Sequence, residues 1–266
     1  MPDDDPIAQV LAVERPLSAR GVLVTCLLGS RRSSIPGRDL VAAARLFGVA
    51  EGTVRTALSR MVSSGEVLNE DGRYELAPGS TRNLRSEHTD AGTVRCDWDG
   101  SWELHVVRSG RRSAEERTTL RSAAARLRLA ELREGVWTRP RNLTRPAFDA
   151  EQAVVVDQCE ELVGSPTRDP GELAARLWDL ERWAERADHL VRSVDPALDE
   201  LSARGREALA TVFRLQVAIR RHVGEDPLLP DELLPASWPG EPLRARYDEL
   251  HRAFREVIVP IIRSVR

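Results

Sequence analysis

The chain has 266 residues, of which 41% are hydrophobic and 30% charged, and this balance excludes a disordered or fibrous protein while leaving room for two or three folded domains. All 39 basic residues are Arg and the formal net charge is −3. The charge is uneven: residues 18–85 carry ten Arg against six acids, and residues 151–266 carry sixteen against twenty-two, which suits one nucleic-acid-facing domain in front of an acidic body.

In chain order, the acidic residues 1–17 read as a disordered arm. A helix over residues 18–29 supplies Val22, Leu23, Cys26 and Leu27 to a core. Ile35-Pro36-Gly37 reads as a helix entry, since Pro at the first helical position loses no hydrogen bond. Leu40, Val41, Ala44 and Phe47 follow at helical spacing, and Gly48 can end that helix in the left-handed conformation. A second helix is predicted over residues 50–64, with Val54, Ala57, Leu58, Met61 and Val62 as its buried stripe. Thr53, Arg55, Thr56, Ser59, Arg60 and Ser63 fall off that stripe. Asp71-Gly72 is a strong two-residue turn signal between two short strands. Three helices and a hairpin over residues 18–78 make a winged helix-turn-helix, a module that usually reads double-stranded DNA. In that reading Arg55, Thr56, Ser59 and Arg60 enter the major groove, where Arg can make two hydrogen bonds to guanine, and Thr53 is a further DNA-binding candidate. Arg73 in the wing and Arg31-Arg32 before the second helix contact phosphate.

Residues 79–95 are rich in Gly, Ser and Thr and read as a linker. A middle domain is predicted over residues 96–165, with strand 101–107, helix 114–127, strands 129–132 and 135–138, a short helix at 145–152 and a strand at Val154-Val155-Val156. The order β-α-β-β-α-β fits a ferredoxin-like fold. From residue 166 to 266 the pattern is helical. One helix carries Leu173, Leu177, Leu180 and Trp183; another runs over residues 195–221. A Pro-rich stretch at 226–240 precedes a last helix through Leu243, Tyr247, Leu250, Phe254 and Val257. The fold class is therefore α+β, with the C-terminal helices available for effector binding, dimerisation or both.

Signals for catalysis are lacking. The sequence holds no GxSxG, P-loop or GxGxxG motif, its five histidines have no zinc-type spacing, and its three cysteines form no CxxC pair, so we expect no enzyme, no metal site and no cofactor. The longest uncharged run near the start, residues 21–30, is well short of the roughly 20 residues of a membrane span, and the acidic start is unlike a basic leader. A cytoplasmic protein without a membrane partner is expected. Near the C-terminus, Arg221-His222 ends a helix and has two readings: a cationic end for the phosphates of a CoA ester, or charge complementing the helix dipole. Trp178 and Trp183 read either as an aromatic effector pocket or as core.

Several motifs, in order, resemble those of one family over nearly the whole chain: the PaaX-type transcriptional regulators of phenylacetate catabolism. Arg55-Thr56-Ala57-Leu58-Ser59-Arg60-Met61 is close to the family's recognition-helix string. Asp97-Trp98-Asp99-Gly100-Ser101-Trp102 resembles the opening of its middle domain, and Gly135-Val136-Trp137 a later strand. Leu177-Trp178-Asp179-Leu180, then Asp226-Pro227-Leu228-Leu229-Pro230 with Leu233-Leu234-Pro235-Ala236-Ser237-Trp238, resemble its C-terminal signatures. The resemblance implies a GntR-like winged helix, a ferredoxin-like middle domain and a helical C-terminal domain. It further implies a homodimeric repressor of catabolic genes on a pseudo-palindromic operator, released by a small-molecule effector such as an acyl-CoA thioester. It names no single effector. The middle domain is also similar to small nuclease-like proteins of CRISPR adaptation, which need a carboxylate at the end of the first strand. Here that strand ends in Val106-Val107-Arg108, which speaks against a metal-dependent nucleic-acid-processing enzyme. An activator or protein-interaction scaffold is the other alternative.

Overall fold

The computed structural model describes residues 5–14, 16–29, 34–78, 93–108, 110 and 112–264. Arg31, Arg32 and most of the expected linker lie outside the described residues. The fold is α+β, and its parts gather into two compact units, each assembled from separate stretches of chain: Met1–Glu87 with Glu185–Gly224 and Pro239–Arg266, and His88–Ala184 with Glu225–Trp238.

In the first unit, helix α1 (Pro6–Ala12) is capped by Asp5, whose side chain accepts a hydrogen bond from the Ile7 amide at 2.9 Å. Within the segment expected to be a disordered arm, residues 6–12 are therefore helical. Pro6 fits the first turn, and Ile7 and Val10 are buried. Helix α2 (Ala19–Gly29) buries Val22, Leu23, Cys26 and Leu27 as expected. A two-residue strand β1 (Ile35–Pro36) leads straight into α3 (Gly37–Arg45), so the segment read as a helix entry is a strand as well. Gly48, at φ 72°, ends that turn, and α4 (Glu51–Ser63) follows. Strands β2 (Val67–Glu70) and β3 (Arg73–Leu76) pair antiparallel across Asp71 and Gly72, both at positive φ, as a tight primed turn requires. β1 adds to the outer edge of β3.

In the second unit, β4 (Val94–Arg95) pairs with a distant two-residue strand, β8 below. Then come β5 (Trp102–Val107), α5 (Ala114–Arg126), β6 (Ala130–Arg133), β7 (Val136–Pro140), β8 (Leu143–Thr144), α6 (Asp149–Gln158) and β9 (Cys159–Gly164). The main sheet has the order β6-β7-β5-β9, every neighbour antiparallel, which is the ferredoxin-like arrangement. A capping box fixes the start of α5: Ser113 Oγ accepts from the Glu116 amide and Glu116 accepts from the Ser113 amide. One position needs correction: Val154-Val155-Val156 lies inside α6, and the closing strand is Cys159–Gly164. One face of the sheet buries Trp137 and Cys159 against Leu120, Ala124 and Val155 of the two helices. Trp102, on the opposite side of β5, packs with Ala174, Leu180, Leu229 and Leu233.

The remaining helices are α7 (Pro170–Leu177), α8 (Leu180–Arg192), α9 (Val194–Arg204), α10 (Leu209–Gly224) and α11 (Gly240–Ser264). Two of the long helices expected from the sequence are each broken. Trp178 adopts an extended conformation between α7 and α8, and Gly205, at φ 51°, ends α9 before a short 3-10 turn. In the first unit the ring of Phe47, just after α3, meets Phe213 of α10 edge-on at 5.2 Å and Phe254 of α11 at 6.4 Å. Residues 18–78 therefore share a core with the C-terminal helices. α1 joins the same unit: Arg214 donates to the Leu11 carbonyl, Ser193 Oγ donates to the Pro6 carbonyl, and the buried Glu14 carboxylate pairs with Arg186 and Arg221. Among the described residues no helix is long and apolar enough to cross a membrane.

Candidate nucleic-acid interface

α4 presents a polar side because its apolar residues return every three or four positions and turn inward. Val54, Leu58 and Met61 are buried, and Thr53, Arg55, Thr56, Ser59, Arg60 and Ser63 are exposed. The inward stripe is narrower than its spacing suggests: Val62 is 37% exposed and lines a groove between α4 and the hairpin. This open groove of about 800 Å³ has Val41, Leu58 and Val62 along its apolar part. Arg38, Arg55, Ser59 and Ser63 line its helical side, and Asn69, Arg73 and Tyr74 its hairpin side.

Local backbone contacts set the width of the groove. The Gly37 amide donates to the Gly72 carbonyl at 2.9 Å, which pins the hairpin tip to the start of α3. Only glycine permits this approach comfortably, since a Cβ at position 37 would lie 3.0 Å from the Tyr74 ring. Asn69 Oδ1 accepts from the Gly72 amide and closes the turn.

The guanidinium groups are already oriented. Arg55 donates from both Nε (3.0 Å) and Nη2 (2.7 Å) to Glu51 Oε1, one helical turn earlier. Glu51 Oε2 meanwhile receives Arg45 Nη2 from the end of α3 at 2.9 Å. The hydrogen bond and charge of Arg55, with Arg45 adding to them, hold the Glu51 carboxyl below the usual carboxylate range. Arg73 donates to the Ser34 hydroxyl and carbonyl, both at 2.9 Å, and so lies along the edge of β1.

Of the residues singled out in the sequence, Arg55, Ser59 and Arg73 come together in the groove. Thr53, Thr56 and Arg60 are exposed elsewhere on α4, and Thr56 Oγ1 donates back to the Gly52 carbonyl. Sequence reasoning missed Arg38, Asn69 and Tyr74. Arg38 was legible in principle, because it immediately follows the Pro36-Gly37 entry and must project from the first turn of α3.

The other expected site residues sit in different surroundings. Trp178 lies 6.3 Å from Trp102 at a tilt, and Trp183, 7% exposed, stacks on Trp238 at 4.5 Å, so both pack among hydrophobic side chains of the second unit. In the first unit Arg221 donates to Glu14 at 2.7 Å, and His222 is buried.

The second unit also holds a polar cluster that the sequence did not announce. Arg139, fully buried on β7, donates to Asn142 Oδ1 (2.8 Å) and to the carbonyls of Pro227 and Leu228, and Asn142 donates to the same Leu228 carbonyl at 2.9 Å. Arg128 reaches the Asp226 carbonyl, and Asp226 Oδ1 accepts from the Leu228 amide. The Asp226-Pro227-Leu228-Leu229-Pro230 motif is thus a strap whose carbonyls fill a buried arginine's donors. Beside it, Glu103 faces His105, Arg145 (2.5 Å) and Arg139. Burial alone would raise the Glu103 carboxyl, but hydrogen bonds from His105 and Arg145 and the nearby arginine charges outweigh it and hold the group at about 2. This carboxylate of the first main strand is engaged by arginines, and β5 is followed by Arg108, which pairs with Glu160. No group of three His, Cys, Asp or Glu side chains fit to hold a metal ion occurs among the described residues.

Three family models match successive parts of the chain. They are PaaX-like protein over residues 18–78, PaaX protein central Cas2-like domain over 95–174, and PaaX-like protein C-terminal domain over 178–261. Among solved structures, uncharacterized protein Rv0674 from Mycobacterium tuberculosis is 32% identical, with a TM-score of 0.69 and a match covering 92% of this chain and 99% of that one. No curated protein matches.

Proposed function

The chain belongs to the PaaX-like family of regulators, and from that premise we propose that it is a sequence-specific DNA-binding repressor of catabolic genes, released by a small-molecule effector such as an acyl-CoA thioester. In this reading residues 18–78 act as a winged helix-turn-helix. α4 enters the major groove with Arg55 and Ser59 toward base edges, while Thr53, Thr56 and Arg60 meet the flanking strand. Arg73 on the wing and Arg38 at the start of α3 contact phosphate, and Arg31 and Arg32 are assigned the same role from sequence. The protein works in the cytoplasm as a homodimer on a pseudo-palindromic operator, since a two-fold protein reads two inverted half-sites.

The observation that carries this reading is the groove between α4 and the hairpin. Three arginines, three hydroxyl-bearing side chains and an amide side chain line it, while its acids are limited to Asp71 at the hairpin tip. Such a lining offers donors to phosphate oxygens and to guanine edges alike.

The test is a gel shift of the full chain on its own promoter and neighbouring intergenic fragments at fixed salt, with and without a panel of acyl-CoA thioesters. A specific shift that one thioester releases is the expected result. A specific shift that no thioester releases keeps the DNA-binding part and overturns the effector class. Absence of any specific shift overturns the reading.

A further inference from the structure

Arg55 is the groove's best candidate for base readout, and its conformation is imposed by a neighbour. Glu51 Oε1 takes two donors from one edge of the guanidinium, Nε and Nη2. Among the described residues no acceptor meets the Nη1 end, so the outward edge, Nη1 with the second Nη2 hydrogen, stays available as a two-donor fork. Glu51 is itself fixed, because its other oxygen receives Arg45 from the end of α3. Both arginines are largely exposed, at 64% for Arg45 and 72% for Arg55. Exposed pairs of this kind add little to stability, so a stabilising role accounts poorly for a carboxylate shared by two arginines on this face.

We propose that Glu51 is a specificity-determining positioning residue, which holds the Arg55 fork ready for one base pair while its own charge repels the DNA backbone. This rests on the DNA-binding reading above. The two effects act in opposite directions on different DNA. On the preferred site, a fork ordered beforehand loses less side-chain entropy on binding, and the gain outweighs the repulsion. On any other duplex Arg55 meets no matching acceptor pair, and the carboxylate beside the phosphates only opposes binding. Glu51 thus strengthens correct association while it weakens indiscriminate association. A residue that merely supported the helix would shift both affinities together.

The experiment first selects duplexes from a random pool with the full-length wild-type protein, then measures affinity for the selected duplex and for an unselected duplex of equal length at one salt concentration. Glu51→Ala, Glu51→Gln, Arg55→Ala and the Glu51→Ala/Arg55→Ala double variant are compared. With Glu51→Ala, affinity for the selected duplex is expected to fall about tenfold, the size of part of one bidentate base contact. Affinity for the unselected duplex is expected to hold or rise. Glu51→Gln keeps an acceptor but no charge and should fall between. In the Arg55→Ala background, removing Glu51 should cost the selected duplex nothing further. Equal losses on both duplexes, or an unchanged ratio between them, overturn the proposal while leaving the DNA-binding reading in place. Failure of the wild-type protein to select any duplex overturns that reading and the proposal with it.

Discussion

At the scale of single residues, two arginines of the groove, Arg55 and Arg73, should fail differently. Arg55→Ala is expected to lower affinity for the preferred site by about 1–3 kcal/mol and to relax preference at one base position. Quantitative gel shifts over single-base variants of the site would reveal that pattern, and unchanged binding by a folded variant removes Arg55 from the readout. Arg73 is held along β1 by Ser34, a placement suited to a phosphate. Arg73→Ala should therefore weaken binding to all sequences alike and reduce the salt slope by about one unit. Glu103 belongs to stability. Its carboxyl is held at about 2 in the folded chain against an ordinary 4.5. A depressed carboxyl stabilises fully above its unfolded value, and that contribution fades as pH falls toward its folded value. Glu103→Gln leaves Arg139 and Arg145 without their carboxylate and should cost about 3–5 kcal/mol at neutral pH. The gap from wild type should close between about pH 4.5 and pH 2, as denaturant melts across that window would show. A gap independent of pH would assign the loss to packing.

At the scale of elements, α4 was legible because its apolar period repeats cleanly and Gly65, at φ 71°, closes it. The Asp71-Gly72 turn was legible because few residue pairs adopt positive φ twice in succession. Two failures have physical causes. Three consecutive valines favour a strand locally, yet in α6 only Val155 is buried while Val156 points outward at 61% exposure. The actual strand, Cys159–Gly164, lies at the sheet edge and buries only its first residue, so it shows no alternation. The α1 helix carried its own cap and proline, but its reason to fold is tertiary: Ile7, Val10 and Glu14 are covered by distant helices. At the candidate site, Arg55 and Ser59 followed from helical spacing, whereas Asn69 and Tyr74 depend on how β1 brings the hairpin to α3. The aromatic contact between Phe47, Phe213 and Phe254 joins elements far apart in sequence. Phe47→Ala should cost about 3–5 kcal/mol, because a rigid site collapses poorly onto the space left. Chemical denaturation with an unchanged slope would confirm a loss of native packing, and a cost under about 1 kcal/mol would mean that the site refills.

At the scale of the whole chain, the consequence lies in how the two units are threaded. The first takes its residues from three stretches and the second from two, so the chain passes from one unit to the other at residues 87–88, 184–185, 224–225 and 238–239. The strap of residues 226–230 leaves α10, gives its carbonyls to Arg128, Arg139 and Asn142, and returns to α11. Neither unit is a contiguous piece that can be cut out. Residues 18–78 illustrate the point. Phe47 is 5% exposed and rests on Phe213 and Phe254, α1 is held by Ser193 and Arg214, and Glu14 just after it is held by Arg221. A fragment ending at residue 87 keeps α1 to α4 and the hairpin but loses all those partners. Uncovering one large aromatic and the inner side of α1 should cost about 3 kcal/mol or more. For so small a domain that corresponds to a melting midpoint lower by roughly 15 °C. Thermal melts followed by circular dichroism would compare the fragment with the full chain. A fragment that melts cooperatively at the full chain's midpoint would show that residues 18–78 carry their own stability. A low or absent transition would show that residues 18–78 need the C-terminal helices to complete their fold.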